Sequence, residues 1–126
     1  MGEIKPYFFD SYALYELLVF DNENYKPYAE NISIVTTKMN LMEFHYGLLL
    51  KYGKEIADKY FSDLTKFCIN IDDGIIILAN EFRVSMKKRK LSYIDCLGYA
   101  IARSRGIKFL TGDQGFKDLE NVEYVK

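Results

Sequence analysis

The chain opens with a run of apolar and aromatic residues that stops at an acid, Ile4-Lys5-Pro6-Tyr7-Phe8-Phe9-Asp10-Ser11. A short, aromatic-rich run of this kind predicts a buried strand over residues 4–9. Asp is a preferred N-cap residue, so Asp10 predicts the start of a helix with Ala13, Leu14 and Leu17 on one face. The stretch therefore predicts a strand followed directly by a helix.

The same order of a short apolar run and a longer helical segment recurs along the chain. Further strands are predicted at 32–36, 68–71, 107–110 and 122–125, and helices at 38–52, 54–67, 72–86 and 92–106. Strands that alternate with helices pair in parallel, because a parallel neighbour needs a long crossover and a helix supplies one. The sequence therefore predicts an α/β fold, a three-layer α/β/α sandwich around a mostly parallel sheet of about five strands.

The composition is that of an ordinary globular protein, and residues 1–126 are expected to form a single domain, with 49% hydrophobic and 28% charged residues. Asp10 and Glu16 interrupt the apolar N-terminal stretch, so we expect neither a signal peptide nor a membrane span. Cys68 and Cys96 match no metal or redox spacing and are expected to be free thiols in a reducing cytoplasm. The net charge of −1 excludes a uniformly basic surface, but it does not exclude a local nucleic-acid site.

Two acids lie just after predicted strands. Asp10 ends the first strand, and Asp113 follows the strand at 107–110. In open α/β sheets, ligands bind beyond the carboxyl ends of the strands, so these two acids face one crevice if their strands are neighbours. Glu43, about two turns into one helix, and Asp95, one turn into another, can reach the same edge of the sheet.

Glu43 and Asp95 also have apolar neighbours at helical spacing. Met39 and Tyr46 flank Glu43, and Tyr99 lies one turn after Asp95. An unpaired carboxylate in such surroundings is unfavourable, and buried charges are paired or bind metals. Clustered carboxylates without a His or Cys set favour Mg²⁺ or Mn²⁺ as the neutralising ion. Such an ion activates water, and phosphodiester hydrolysis is the reaction class that follows.

Each acid also has an ordinary structural explanation. Asp10 and Asp113 are each explained as a helix N-cap. Asp95 is explained as the acidic member of a capping box in Ser92-Tyr93-Ile94-Asp95. Glu43 is explained as a helix acid that points to solvent. These alternatives stay open for each residue taken singly, whereas the convergence of all of them on one sheet edge favours a site.

Four stretches then form a recognisable pattern: Asp10-Ser11 after the first strand, residues 37–44, residues 91–102, and Thr111-Gly112-Asp113-Gln114-Gly115-Phe116. In this order, and over essentially the whole chain, they resemble the PIN domains and, within them, the small VapC-type toxin ribonucleases. The resemblance implies a PIN-like fold. It also implies an endoribonuclease that depends on Mg²⁺ or Mn²⁺ and leaves a 5′-phosphate and a 3′-hydroxyl on its RNA substrate.

Roles for individual residues also follow from the resemblance. It implies that Asp10, Asp95 and Asp113 bind the metal and that Glu43 completes the site and positions the attacking water. Ser11 and Thr111 are implied to be supporting hydroxyls. The alternative is a catalytically inactive PIN-like module that binds RNA or protein.

The resemblance further implies the toxin of a toxin–antitoxin pair, with an antitoxin protein and a second copy of the chain as partners. By analogy with such toxins, the tyrosines near the N-terminus are expected at these interfaces: Tyr7, Tyr12, Tyr15, Tyr25 and Tyr28. The one basic run, Lys87-Lys88-Arg89-Lys90 with Arg83 one turn earlier, has two explanations. It is either an edge that contacts RNA phosphates or favourable charge at a helix C-terminus.

Overall fold

The computed structural model describes residues 3–126 and is built on a parallel sheet. Its strands are β1, β2, β3 and β4, which span Lys5–Phe9, Ile32–Val35, Lys108–Thr111 and Val122–Tyr124. They lie in the order β2-β1-β3-β4, and every neighbouring pair is parallel. The predicted α/β fold and its parallel sheet are confirmed, with four strands in the sheet rather than five.

The described residues also form five α-helices: α1, Ser11–Leu18; α2, Lys38–Tyr52; α3, Lys54–Leu64; α4, Asp73–Ser85; and α5, Tyr93–Arg105. Four of them begin after a residue whose side chain accepts a hydrogen bond from the first turn, namely Asp10, Thr37, Asp72 and Ser92. Gly53 separates α2 from α3 with a φ of 90°, a backbone conformation that glycine adopts without strain. The helix boundaries predicted from capping residues are thus close to those observed.

Alternation along the central strands divides the apolar side chains between two cores. Tyr7, Phe9 and Leu110 face a first core covered by α1, α2 and α3. Phe8 and Phe109 face a second core covered by α4 and α5. Because helices cover both faces of the sheet, the arrangement is the three-layer sandwich that the sequence predicts.

The fit of α5 on the sheet depends on Gly98. A Cβ at this position would lie 2.6 Å from the Phe8 ring and 2.9 Å from the Phe109 ring. The missing side chain therefore lets the helix backbone approach the two central strands closely. This approach sets the position of Asp95, which lies one turn earlier on the same helix.

The strand predicted at 68–71 is wrong. Only one bridge joins this segment to the sheet within the described part of the chain, between Cys68 and Thr36. The neighbouring backbone leaves the sheet at this point, because Thr37 caps α2 directly after Thr36. Ile69 and Ile71 are apolar because they pack against the second core. The segment is therefore a crossover connection that is joined to the sheet by one bridge and has no neighbouring strand with which it could pair further.

The tyrosines near the N-terminus pack into the first core. Tyr25 is completely buried and its hydroxyl donates to the Val125 carbonyl at 2.7 Å, while the Tyr15 hydroxyl donates to the Phe44 carbonyl at 2.9 Å. Tyr7 is also buried and meets Tyr28 edge to face at 5.5 Å between ring centroids. The expectation that these rings form a partner surface is therefore wrong for Tyr7 and Tyr25, because they fill the interior.

The two cysteines are free thiols, as the sequence predicts. Cys96 is buried and Cys68 is half-buried. Over residues 3–126, no helix combines the length and the apolar character needed to cross a membrane.

Candidate active site

The carboxyl ends of β1 and β3 lie side by side. The two strands pair in parallel, with Phe9 opposite Leu110. Asp10 follows one strand and Asp113 lies just beyond the other, and the Asp10 N–H donates to the Leu110 carbonyl at 3.4 Å. The condition set by the sequence, that these strands be neighbours, is therefore met.

Asp10 is the most deeply buried of the predicted acids, with 4% of its surface exposed. Its Oδ1 accepts a hydrogen bond from the Ala13 N–H at 2.8 Å, and its Oδ2 accepts one from the Thr111 hydroxyl. Burial raises the pKa of Asp10 from 3.8 to about 7, although these hydrogen bonds lower it. The charges of Asp95 and Asp113 raise it further. Near neutral pH this carboxyl group is therefore balanced between its protonated and charged forms.

Thr111, completely buried, joins Asp10 to Asp113. Its hydroxyl oxygen accepts a hydrogen bond from the Asp113 N–H at 3.0 Å while it donates to Asp10. Asp113 in turn accepts from the Gly115 N–H at 2.9 Å and begins the short 3-10 helix Gln114–Phe116. Gly112 permits this tight turn, because a Cβ there would lie 2.3 Å from the Tyr12 ring. Thr111 thus links the side chain of Asp10 to the backbone of Asp113.

Asp95 lies in the first turn of α5 and is half-buried. Its Oδ2 accepts from the Ser92 N–H at 3.1 Å, and its own N–H donates to the Ser92 hydroxyl at 3.0 Å, which completes a capping box. Burial raises the pKa of Asp95, the bonds with Ser92 lower it, and the charges of Asp113 and Glu43 raise it. Asp95 is therefore within electrostatic reach of Asp113, just beyond β3, and of Glu43 on α2.

Glu43 is exposed, so the inference that it lies in an apolar, buried setting is wrong. Its helical neighbours Tyr46 and Leu50 are exposed as well. The buried face of α2 is a different one and carries Asn40, Leu41, Phe44 and Leu48. Glu43 is nevertheless tied to the same edge of the sheet, because the Ser11 hydroxyl donates to its Oε1 at 2.7 Å.

Asn40 is a buried polar residue at this edge, with 2% of its surface exposed, that was not predicted from the sequence. Its side-chain oxygen accepts from the Thr37 hydroxyl at 2.7 Å, and its side-chain nitrogen donates to the Ser11 hydroxyl at 3.4 Å. Asn40 therefore supports the serine that holds Glu43. The available signal was the spacing of Thr37 and Asn40, a polar pair at the N-cap and N3 positions of α2.

The structural roles and the shared location of these acids coexist. Asp10, Asp95 and Asp113 all cap helices, as the alternative explanation states. A cap alone does not explain why the charges of Asp95 and Asp113 raise the pKa of Asp10, or why those of Asp113 and Glu43 raise the pKa of Asp95. The convergence of four carboxylates is a property of the tertiary fold.

Among residues 3–126, none of the predicted site acids forms an ion pair with a basic side chain. The six ion pairs found among residues 3–126 all involve other acids. Within the same residues, no three Asp, Glu, His or Cys side chains are already grouped as a metal-ion cluster. The predicted ligands offer only carboxylate oxygens, the donor type that hard divalent cations bind. Donor chemistry and charge therefore fit such a cation, while hydrogen bonds hold each acid in this structure.

The basic run lies beside these acids. Arg89 donates to the Gly115 carbonyl at 3.0 Å and to Asp118 at 2.8 Å, next to the turn that carries Asp113. The Arg83 guanidinium donates to the Leu91 carbonyl at 3.0 Å and lies 4.0 Å from the centre of the Tyr93 ring. Both arginines therefore hold segments that border the acidic edge.

Comparisons with known proteins give one family and several related structures. A PIN domain model matches residues 7–122. The solved toxin VapC20 of Mycobacterium tuberculosis, which cleaves the sarcin-ricin loop, is similar with a TM-score of 0.76 and 20% identity, covering 95% of this chain and 99% of that one. Comparison with curated protein sequences gives no significant match.

Two further structures have the same fold. A toxin–antitoxin complex from Klebsiella pneumoniae gives a TM-score of 0.67 at 20% identity, over 92% of this chain and 94% of that one. VapBC2 from Rickettsia felis, bound to a DNA fragment from its promoter, gives a TM-score of 0.72 at 16% identity, over 94% of this chain and 96% of that one. At these identities the likeness establishes the fold.

Proposed function

Because this chain belongs to the PIN domain family, as the match over residues 7–122 shows, we propose that it is a divalent-metal-dependent endoribonuclease. Its active site is formed by Asp10, Glu43, Asp95 and Asp113. The observation that carries the proposal is the convergence of these acids, from four separate elements, on the carboxyl edge of the sheet, where Asp10 has a pKa of about 7. The whole chain acts as one nuclease domain.

Asp10, Asp95 and Asp113 are the residues that would hold the cation, with Glu43 completing the site. When bound, Mg²⁺ or Mn²⁺ supplies a water of lowered pKa and stabilises negative charge on the phosphate. Asp10 is partly protonated near neutral pH, so it releases its proton when it becomes a ligand. We therefore expect metal binding to strengthen as the pH rises through about 7.

The neighbouring polar residues position these carboxylates. Thr111 fixes Asp10 relative to Asp113, because its hydroxyl bonds to both. Ser11 holds one oxygen of Glu43, and the exposed position of this glutamate lets it orient a water that arrives from solvent. Asn40 supports Ser11 from the buried side. In this proposal Thr111, Ser11 and Asn40 are positioning residues.

The same proposal includes a toxin role. The fold is shared with VapC20, which cleaves the sarcin-ricin loop, and with proteins of two toxin–antitoxin systems. We therefore propose an RNA substrate, an antitoxin protein as partner, and a homodimer. We place the protein in the cytoplasm, because its two cysteines are free thiols.

The test is cleavage of RNA by the purified protein with Mg²⁺ or Mn²⁺, beside EDTA and the Asp10→Asn variant. Asn caps helices about as well as Asp, so this change preserves the start of α1. Asp72→Asn is the matched control, because Asp72 caps α4 in the same way at 2.9 Å. Cleavage that stops with EDTA and with Asp10→Asn, but not with Asp72→Asn, supports the proposal. A folded wild-type protein that binds RNA and never cuts it with either metal contradicts it and favours a binding module.

A further inference from the structure

A cavity of about 500 Å³ lies between the end of α4, the short 3-10 helix Lys87–Arg89 and the start of α5. Its walls include three cationic side chains, one aromatic ring and one leucine, namely Arg83, Lys87, Lys90, Tyr93 and Leu91. We call this cavity the basic groove. No acidic residue lines it within the described part of the chain. The groove therefore presents positive charge to whatever occupies it.

The basic run divides into two sets of residues with different surroundings. Arg89 is engaged with Gly115 and Asp118, so it holds the loop after β3. Lys87 and Lys90 are exposed, line the groove, and take part in none of the six ion pairs among residues 3–126. Lys88 is exposed too but does not line the groove. A polyanion that enters the groove would thus meet Lys87 and Lys90, and not Lys88.

Tyr93 adds a feature that a simple anion does not need. Its side chain is 64% exposed, and the Arg83 guanidinium stacks on its ring at 4.0 Å. Arg83 is itself fixed, because its Nε donates to the Leu91 carbonyl. A supported, exposed aromatic ring beside cations is the combination with which proteins hold single-stranded nucleic acids, through stacking on bases and contacts to phosphates.

The groove adjoins the acidic edge through shared residues. Leu91 and Tyr93 flank Ser92, whose N–H donates to Asp95. The Leu91 side chain also packs on Gly115, because a Cβ built on that glycine would lie 3.0 Å from it. Gly115 in turn binds Asp113. The wall of the groove is therefore the segment that also positions two of the acids.

We propose that the basic groove binds single-stranded RNA next to the cleavage site. Lys87 and Lys90 contact successive phosphates, Arg83 supplies positive charge at the wall, and Tyr93 stacks on a base. This assignment rests on the proposed function for its placement of cleavage, but binding is measured without cleavage. The groove then delivers the backbone to the acidic edge.

The experiment measures the affinity of a labelled single-stranded RNA of about ten nucleotides by fluorescence anisotropy in EDTA, where no metal supports cleavage. The variants are Lys87→Ala, Lys90→Ala and Tyr93→Leu. Lys88→Ala is the control, because it removes the same charge from a lysine that does not line the groove. Lys87→Ala and Lys90→Ala are each expected to weaken binding several-fold. Each is also expected to lower the slope of log K against log salt by about 0.7, because one phosphate contact is lost. Tyr93→Leu is expected to weaken binding about tenfold with little change in that slope.

Three results would overturn the assignment. If Lys88→Ala weakens RNA binding as much as Lys87→Ala does, binding depends on overall charge and not on the groove. Competition by an acidic peptide at concentrations similar to those of RNA means that the occupant is a protein segment. If Tyr93→Leu leaves the RNA affinity unchanged, stacking of Tyr93 on a base is excluded, and with it the proposed preference for single-stranded RNA. Asp10→Asn is expected to keep RNA binding, so a failure of the nuclease proposal is separate from a failure of the groove.

Discussion

The N-termini of α1 and α4 are built in the same way but lie in different surroundings. Asp10 accepts from Ala13 at 2.8 Å, and Asp72 accepts from Ile75 at 2.9 Å. Asp72 lies near the protein surface, whereas Asp10 is buried at the junction of β1 and β3 among other acids. Capping is therefore decided by local sequence, whereas the candidate site arises only where strands bring several caps together.

The largest expected effect is on cleavage. Asp10→Asn is expected to lower the rate of RNA cleavage about a thousandfold or more, roughly 4 kcal/mol in the barrier, because it removes a charged ligand of the cation. Asp72→Asn is expected to leave the rate within about twofold, since it changes only a surface cap. Single-turnover cleavage of one labelled RNA measures both. Equal losses of cleavage rate in the two variants would contradict the assignment of Asp10, and not Asp72, to the active site.

The next effect is on stability as a function of pH without metal. The pKa of Asp10 is raised by burial to about 7, so the folded protein binds a proton more tightly than the unfolded chain. Its contribution to stability is therefore full below about pH 4 and is lost as pH rises through about 7, an amount on the order of 4 kcal/mol. The raised pKa of Asp95 acts in the same direction.

Urea unfolding in EDTA at pH 5 and pH 8 checks this expectation. Wild type and Asp72→Asn are expected to lose stability between the two values, and Asp10→Asn to lose much less. Added Mg²⁺ is expected to restore stability at pH 8 in wild type, because the ion binds the folded state. A wild-type protein that gains stability from pH 5 to pH 8 in EDTA would contradict the assigned burial of Asp10.

A smaller effect comes from two glycines, one within α5 and one at the start of α4. Gly98→Ala is expected to destabilise the fold by about 1–3 kcal/mol, since its Cβ would press on the Phe8 ring at 2.6 Å. Gly74→Ala, at the start of α4, is expected to be neutral or to stabilise by up to about 1 kcal/mol, because the nearest atom is 3.4 Å away. Chemical denaturation measures both. Comparable losses would show that the α4 end is as tightly packed as α5.

The smallest expected effect concerns the positioning residues. Asn40→Ala is expected to reduce the cleavage rate by about tenfold at unchanged RNA affinity, because Ser11 loses its buried partner. Asn70→Ala, at an exposed asparagine that precedes α4 and does not line the basic groove, serves as the comparison and is expected to keep the rate. If Asn40→Ala lowers only the free energy of unfolding, its role is confined to the fold.

Local sequence predicted most of the fold, and the exceptions have tertiary causes. The run at 68–71 was expected to form a strand, but the β2 backbone has turned into α2 before pairing can continue. The sequence of α2 is apolar on several sides, so its pattern does not identify which face of the helix is buried. For this reason Glu43 was wrongly expected to be buried. Asn40 escaped notice because its partner Ser11 is 29 residues away in sequence. Asp10 and Asp113, by contrast, lie just beyond strands that the sequence predicts, and these two strands are neighbours in the sheet.

The most direct test of the metal site is calorimetric titration of Mn²⁺ into the wild-type protein, Asp10→Asn, Asp113→Asn and Asp72→Asn at pH 7, each in two buffers of different ionisation enthalpy. We expect wild type and Asp72→Asn to bind Mn²⁺ with equal affinity and to release protons, because Asp10 is partly protonated before the ion arrives. We expect binding to weaken at least about tenfold in Asp10→Asn and Asp113→Asn. Mn²⁺ binding that is absent from folded wild type, or unchanged in both site variants, would contradict the account.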